Sequence, residues 1–208
     1  TISAIRGRRL AYTEGEHGSL KFAGYNPAVL GGSVELPLAF KEVIVGEETL
    51  LGYPESGLSV VPGLGGVALT YERAGRHNTE MLVATAGSID GKKAFDIGMA
   101  DQEAPNSDIF RKFYERIESG QKPTREIRDY QLTHADIDLT KRRTPPAPLS
   151  WQRIPEMMDR IEVAYRARGL EGALQVNRDV CFELGLSGDF REGVMAFKEN
   201  RQPKYTGK

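Results

Sequence analysis

Most of the 23 glycines fall before residue 105, singly or in close sets such as Gly31-Gly32 and Gly63-Leu64-Gly65-Gly66. Glycine interrupts helices and strands and permits tight turns, so the first half must be built from short elements. After residue 105 glycine thins out and longer helices become possible. With 208 residues the chain is long enough to bury a sizeable core. Thr1–Ile5 reads as a strand, Arg8–Gly18 as a polar loop, and Ser19–Asn26 as a second strand. Val34, Leu36, Leu38, Ala39 and Phe40 suggest a helix entered from Gly31-Gly32, with short strands at Val43–Val45 and Thr49–Leu51. Gly52–Gly66 reads as a shaped loop. Helices are expected over Val67–Ala74, ended by Gly75, and over Asn78–Ala86. Ile89–Gly98 carries Asp90 as N-cap and Gly98 as C-cap. Asp108–Ser119 is amphipathic, with Ile109, Phe110, Phe113, Tyr114 and Ile117 on one side. These features divide the chain into a core at 1–118, a proline-bearing arm or linker at 119–150 and a helical region at 151–208.

Lys and Arg number 28 against 29 Asp and Glu, a net charge of −1. That gives no electrostatic case for a nucleic-acid partner. The lone Cys181 excludes an intramolecular disulfide and a cysteine-rich zinc scaffold. Apolar stretches are too short to span a bilayer, and no long apolar run follows the basic residues near Thr1. The expectation is a soluble, cytoplasmic protein with no membrane partner. The opening on Thr1, without an initiator methionine, reads as a fragment or a processed chain.

Three segments hold chemistry-bearing residues. In Gly31-Gly32-Ser33-Val34-Glu35 a glycine turn leads into a helix, where backbone N–H groups can meet an oxygen that gains negative charge. In Tyr53-Pro54-Glu55-Ser56-Gly57 a carboxylate is held between proline and glycine, and burial would suit it to proton transfer. Val61-Pro62-Gly63-Leu64-Gly65-Gly66 lacks the Lys-Ser/Thr of a phosphate-binding loop. Taken singly, each is more simply an ordinary turn or a surface acid. His17, His77 and His134 have no metal-ligand spacing, Ser33 and Ser56 lie in no Gly-x-Ser-x-Gly elbow, and Cys181 reads as a small buried hydrophobe. Trp151 reads as a packing anchor and Lys141-Arg142-Arg143 as a solvated face.

In order, however, these segments resemble the crotonase (enoyl-CoA hydratase/isomerase) superfamily. Ala28–Ala39 is similar to its A-x-L-G-G-G-x-E-L-x-L-A segment, Leu51–Leu58 to F-G-x-P-E-x-x-L-G, and Val61–Gly66 to I-P-G-x-G-G. Ile89-Asp90 through Ala100 and Asp189 through Pro203 resemble two further segments. Ser33 replaces the third glycine, and Asn200 replaces a lysine that Arg201 or Lys204 would stand in for. The family's N-terminal part, with its other oxyanion amide, is missing or lies on another chain, and residues 8–25 form an insertion.

The resemblance implies an α/β fold, a crotonase-like ββα superhelix with a C-terminal helical oligomerisation region. It implies an acyl-CoA substrate whose thioester oxygen meets the Gly32 N–H, with Gly31, Ser33, Pro54 and Gly63 around it. Glu35 would activate water and Glu55 would exchange the proton at Cα. Phe197, Arg201 and Lys204 would contact the CoA moiety. The reaction implied is hydration of a 2-enoyl-CoA, with no metal or redox cofactor beyond the CoA of the substrate. Carbon–carbon cleavage, thioester hydrolysis and a non-catalytic subunit remain the alternatives. The family further implies a trimer or dimer of trimers, with Tyr165, Phe182 and Phe197 in buried contacts.

Overall fold

The computed structural model describes residues 28–120, 125–140 and 142–208, together with the backbone of three short strands nearer the N-terminus. Those strands are β1 (Ile2–Ile5), β2 (Tyr12–Glu14) and β3 (Leu20–Phe22). β2 and β3 form an antiparallel hairpin, so part of the expected Arg8–Gly18 loop is a strand. His17 lies outside the described residues.

The next elements are β4 (Ala28–Leu30), α1 (Gly32–Leu38), β5 (Glu42–Gly46) and β6 (Leu50–Gly52). They feed two small sheets alternately. β5 lies between β1 and β8 (Gln102–Ala104), parallel to both. β6 lies between β4, parallel to it, and β7 (Ser88–Ile89), antiparallel to it. Every residue of β5 is buried because both of its faces are covered. Val43 and Val45 join the main core, while Ile44 points the other way onto Ala104 and Ile109.

α2 (Gly66–Thr85) is broken at Gly75, with φ 76° and ψ 174°, as the two expected helices require. The Asp90 side chain caps α3 (Gly91–Asp96) by accepting from the Lys93 N–H, and Gly98 has φ 81°. α4 (Ile109–Glu118) sets Ile109 and Phe113 against sheet residue Ile44, but Phe110, Tyr114 and Ile117 are exposed. The expected single apolar face is therefore only half used within the chain.

The described part of the arm lies along the body. Leu132 and Ile137 enter the main core, and Asp138 bridges to Ser88. α5 (Pro148–Gly185) is two helices joined at Gly169, where φ is 62° and ψ −154°. They fold back on each other: Arg153 reaches Glu183 at 2.5 Å. α6 (Gly188–Glu199) is capped by Ser187, whose hydroxyl accepts from the Phe190 N–H. Trp151 is exposed and does not anchor packing. Arg142 donates to the Thr85 carbonyl, and Arg143 lies over the Phe197 ring, so this basic pair is bound to the body rather than fully solvated. Among the described residues no helix is long and apolar enough to cross a membrane.

Candidate active site

Pairing of β4 with β6 creates the site. Their parallel register sets Leu30 beside Gly52, and the Gly31 N–H continues the ladder by donating to the Gly52 carbonyl at 3.0 Å. The two strands therefore end side by side. One runs into α1, which carries Glu35. The other runs into a 3₁₀ turn at Pro54–Leu58, which carries Glu55.

Glycine is required at position 31 for two reasons. Its φ is 57°, and a Cβ there would run into Oε1 of Glu55. A Cβ on Gly32 would lie 3.2 Å from Leu64 Cδ1 and 3.9 Å from Glu35 Oε1. The two carboxylates thus approach the same glycine turn from different elements. As the first residue of α1, Gly32 has an N–H with no partner inside the helix.

The acids have different surroundings. Glu35 is 2% exposed, and its Oε2 accepts from the Leu64 and Gly66 N–H groups, both at 2.7 Å. Burial pushes its pKa up, and these two N–H groups oppose the shift by favouring the carboxylate. Oε2 of Glu55 is buried with no hydrogen-bond partner among the described residues. Burial, with a further push from the Glu35 charge, raises the Glu55 carboxyl to about 7. Both carboxyls are thus pushed up by burial, Glu35 against two opposing N–H donors, while at neutral pH Glu55 still holds much of its proton.

Other groups complete the surroundings. Tyr53 is fully buried, and its hydroxyl shares a 2.7 Å hydrogen bond with Thr70 Oγ1 and lies 3.4 Å from the Gly66 carbonyl. Burial pushes the phenol up strongly, and both glutamates add to the shift. The half-buried Cys181 thiol faces Gly63; burial raises its pKa, followed by the charges of Glu35 and Glu55. Asn177 of α5 is fully buried, accepts from the Val67 and Ala68 N–H groups and donates to the Pro62 carbonyl. Tyr53, Thr70, Cys181 and Asn177 were not among the expected site residues. Asn177 had one available signal, a polar residue inside the apolar stripe of Leu174, Val180 and Leu184.

The remaining expected residues fall into two groups. Ser33 and Pro54 are exposed, on the first turn of α1 and at the start of the 3₁₀ turn; Gly63 is exposed on the loop before α2. Phe197, Arg201 and Lys204 gather at the end of α6 and in the tail. There Arg201 forks onto Glu192 and also meets Glu199, while the Lys204 N–H donates to Glu192. Arg201 and Lys204 also line a cavity of about 370 Å³ with Asp189, Glu192 and Thr206. This group lies on the Glu55 side of the molecule: the Tyr205 hydroxyl donates to the Gly57 carbonyl at 2.5 Å. Tyr165 packs edge-on against Tyr71 within the chain, whereas Phe182 and Phe197 are exposed. His77 is exposed and bonds the Leu132 carbonyl. Among the described residues no group of three or more His, Cys, Asp or Glu is placed to hold a metal ion.

Two alternately fed sheets, an acid-bearing glycine turn and a C-terminal helical region define a crotonase-type α/β protein. Solved structures share this architecture. One is an enoyl-CoA hydratase from Rhodobacter sphaeroides, with TM-score 0.60 and 22% identity, covering 86% of this chain and 61% of that one. Another is a carnitinyl-CoA hydratase from Mycobacterium avium, with TM-score 0.59 and 24% identity, covering 88% and 61%. The sequence pattern of the enoyl-CoA hydratase/isomerase family matches residues 22–179, and the chain belongs to that family. Among curated relatives, a probable mitochondrial enoyl-CoA hydratase 2 of Arabidopsis thaliana is 27% identical over 89% of this chain. A probable enoyl-CoA hydratase of Bacillus subtilis is 24% identical over the whole chain. The chain spans 52% of the Arabidopsis protein and 70% of the Bacillus one.

Proposed function

We propose that this chain carries the acid pair of an acyl-CoA-processing site that adds water reversibly to a 2-enoyl-CoA. The observation that carries the reading is the contrast between the two carboxylates at one glycine turn. Glu35, oriented by the Leu64 and Gly66 N–H groups, takes a proton from water as the water oxygen bonds to C3 of the acyl group. The C2=C3 π electrons move toward the thioester oxygen and form an enolate. The Gly32 N–H, free of helix partners, stabilises that oxygen; one such donor is worth about 3 kcal/mol of barrier. Glu55, holding its proton near neutrality, gives it to C2 and re-forms the thioester carbonyl. Proton exchange between the two acids, directly or through water, restores the starting state.

The named relatives support acyl-CoA as the substrate class. The exposed side chains of Leu36 and Leu64 offer apolar surface for an acyl chain near the acids. Phe197, Arg201 and Lys204 are the proposed CoA contacts, and no metal or redox cofactor takes part. Exposed Val163 and Phe182 on α5, with Leu186 just past its end, support assembly with further copies as a trimer or dimer of trimers. The test is the loss of enoyl-thioester absorbance with crotonyl-CoA. Native protein should consume it, and Glu35→Gln should be slower by roughly 10²- to 10⁴-fold, the usual contribution of a general base. No turnover by the native protein, or equal turnover by the variant, refutes the reading.

A further inference from the structure

Glu35 owes its orientation to the loop at residues 62–66, since the Leu64 and Gly66 N–H groups both point at its Oε2. One face of the second helix of α5 packs along that loop, while the Tyr53 hydroxyl donates to the Gly66 carbonyl. Leu174 meets Gly65, Asn177 bonds both flanks of the loop, and Cys181 meets Gly63. Positions 174, 177 and 181 follow helical spacing, so one rigid face touches the loop along its length. Only Asn177 contributes directional bonds. Its Nδ2 donates to the Pro62 carbonyl at 2.7 Å, and its Oδ1 accepts from Val67 and Ala68 at 3.0 and 3.1 Å. A carboxamide is suited to this task because it offers donors and an acceptor from one planar group. From more than 100 residues away in sequence it ties Pro62, the first residue of the loop, to the first turn of α2. Because the side chain is fully buried, no water competes for these bonds.

We infer that Asn177 is a positioning residue: by fixing both ends of the 62–66 loop it aims the Leu64 and Gly66 amides at Glu35 and sets that carboxylate's orientation. The inference deepens the reading of Glu35 as the base and rests on it for its catalytic consequence, but the geometric claim stands apart from any reaction. The ionisable groups that bear on Glu35 are Glu55 and Tyr53 from the neighbouring strand and turn, and Cys181 from α5.

The test compares native protein with Asn177→Leu, which keeps the branching at Cγ and removes every bond. Asn177→Ala leaves room for a water to take over part of the bonding. NMR titration of carboxyl-labelled glutamate, with Glu35 assigned through Glu35→Gln, reads the carboxyl directly. Once the amides no longer converge, Glu35 should titrate at higher pH in Asn177→Leu than in native protein, with Asn177→Ala in between. In crotonyl-CoA hydration kcat should fall roughly 10- to 100-fold with little change in KM, the order that a misplaced catalytic group costs. If Asn177→Leu does not fold, Asn177→Ala supplies the comparison. A folded variant whose Glu35 titrates as in native protein, with unchanged kcat, overturns the inference. Native protein without turnover, combined with a shifted Glu35 titration in the variants, refutes the reaction and leaves the positioning role standing.

Discussion

Burial pushes the carboxyls of both Glu35 and Glu55 up, yet the fold supplies them with different hydrogen bonds. One receives two amide donors; the other has a buried oxygen with none among the described residues. The difference has a consequence for stability. Glu55 titrates from 4.5 when unperturbed to about 7 in the folded chain, so the folded state holds this proton more tightly. The stabilisation is complete below about pH 4.5 and is lost as pH rises through 7. The gap corresponds to about 3 kcal/mol. Glu55→Gln should therefore melt at a higher temperature than native protein at pH 8. Its melting temperature should also vary less between pH 5 and 8, measured by thermal unfolding across that range. Equal melting temperatures at pH 8 would show that Glu55 is not held as described. Both acids were legible through the resemblance of their flanking segments. Asn177 and the Tyr53–Thr70 pair were not, because their meaning depends on contacts across 17 to 115 residues of sequence.

At the scale of elements, short strands gain their place from what covers them. β8 is Gln-Glu-Ala and carries no strand pattern, so it became visible only through its pairing with β5. Gly75 could be read as a helix end because it follows the helix-like stretch Val67–Ala74, whereas Gly169 sits in a polar stretch that continues helix-like on both sides. The amphipathic spacing of α4 predicted one face, but the sheet is narrow and accepts only Ile109 and Phe113. A different device joins α1, α2 and the end of α3. Buried Arg73 donates to the Leu38 and Phe40 carbonyls at and just past the C-terminal end of α1, to the Met99 carbonyl and to Asp101. Removing it takes a donor from three carbonyls and, among the described residues, leaves the Asp101 carboxylate to the Val43 N–H and Arg125. Arg73→Ala should destabilise the chain by about 3–5 kcal/mol, the usual result of breaking a buried ion pair. Urea unfolding should give a lower midpoint with an unchanged slope. A loss below about 1 kcal/mol would mean that water replaces these bonds.

Over the whole molecule, the C-terminal helices serve the site as much as the core. α5 packs on α2 and secures the loop that orients Glu35, while α6 and the tail rest on the turn that carries Glu55. Family membership and fold account for why two acids separated by 19 positions meet at one glycine turn. They do not choose among reactions of acyl-CoA thioesters, and hydration is the proposed use of the acid pair. The most direct measurement follows crotonyl-CoA in deuterium oxide by NMR. The account predicts product with a hydroxyl at C3 and one deuterium at C2, formed by native protein and nearly lost in both Glu35→Gln and Glu55→Gln. Substrate left untouched by native protein, or product formed equally well by either variant, would contradict it.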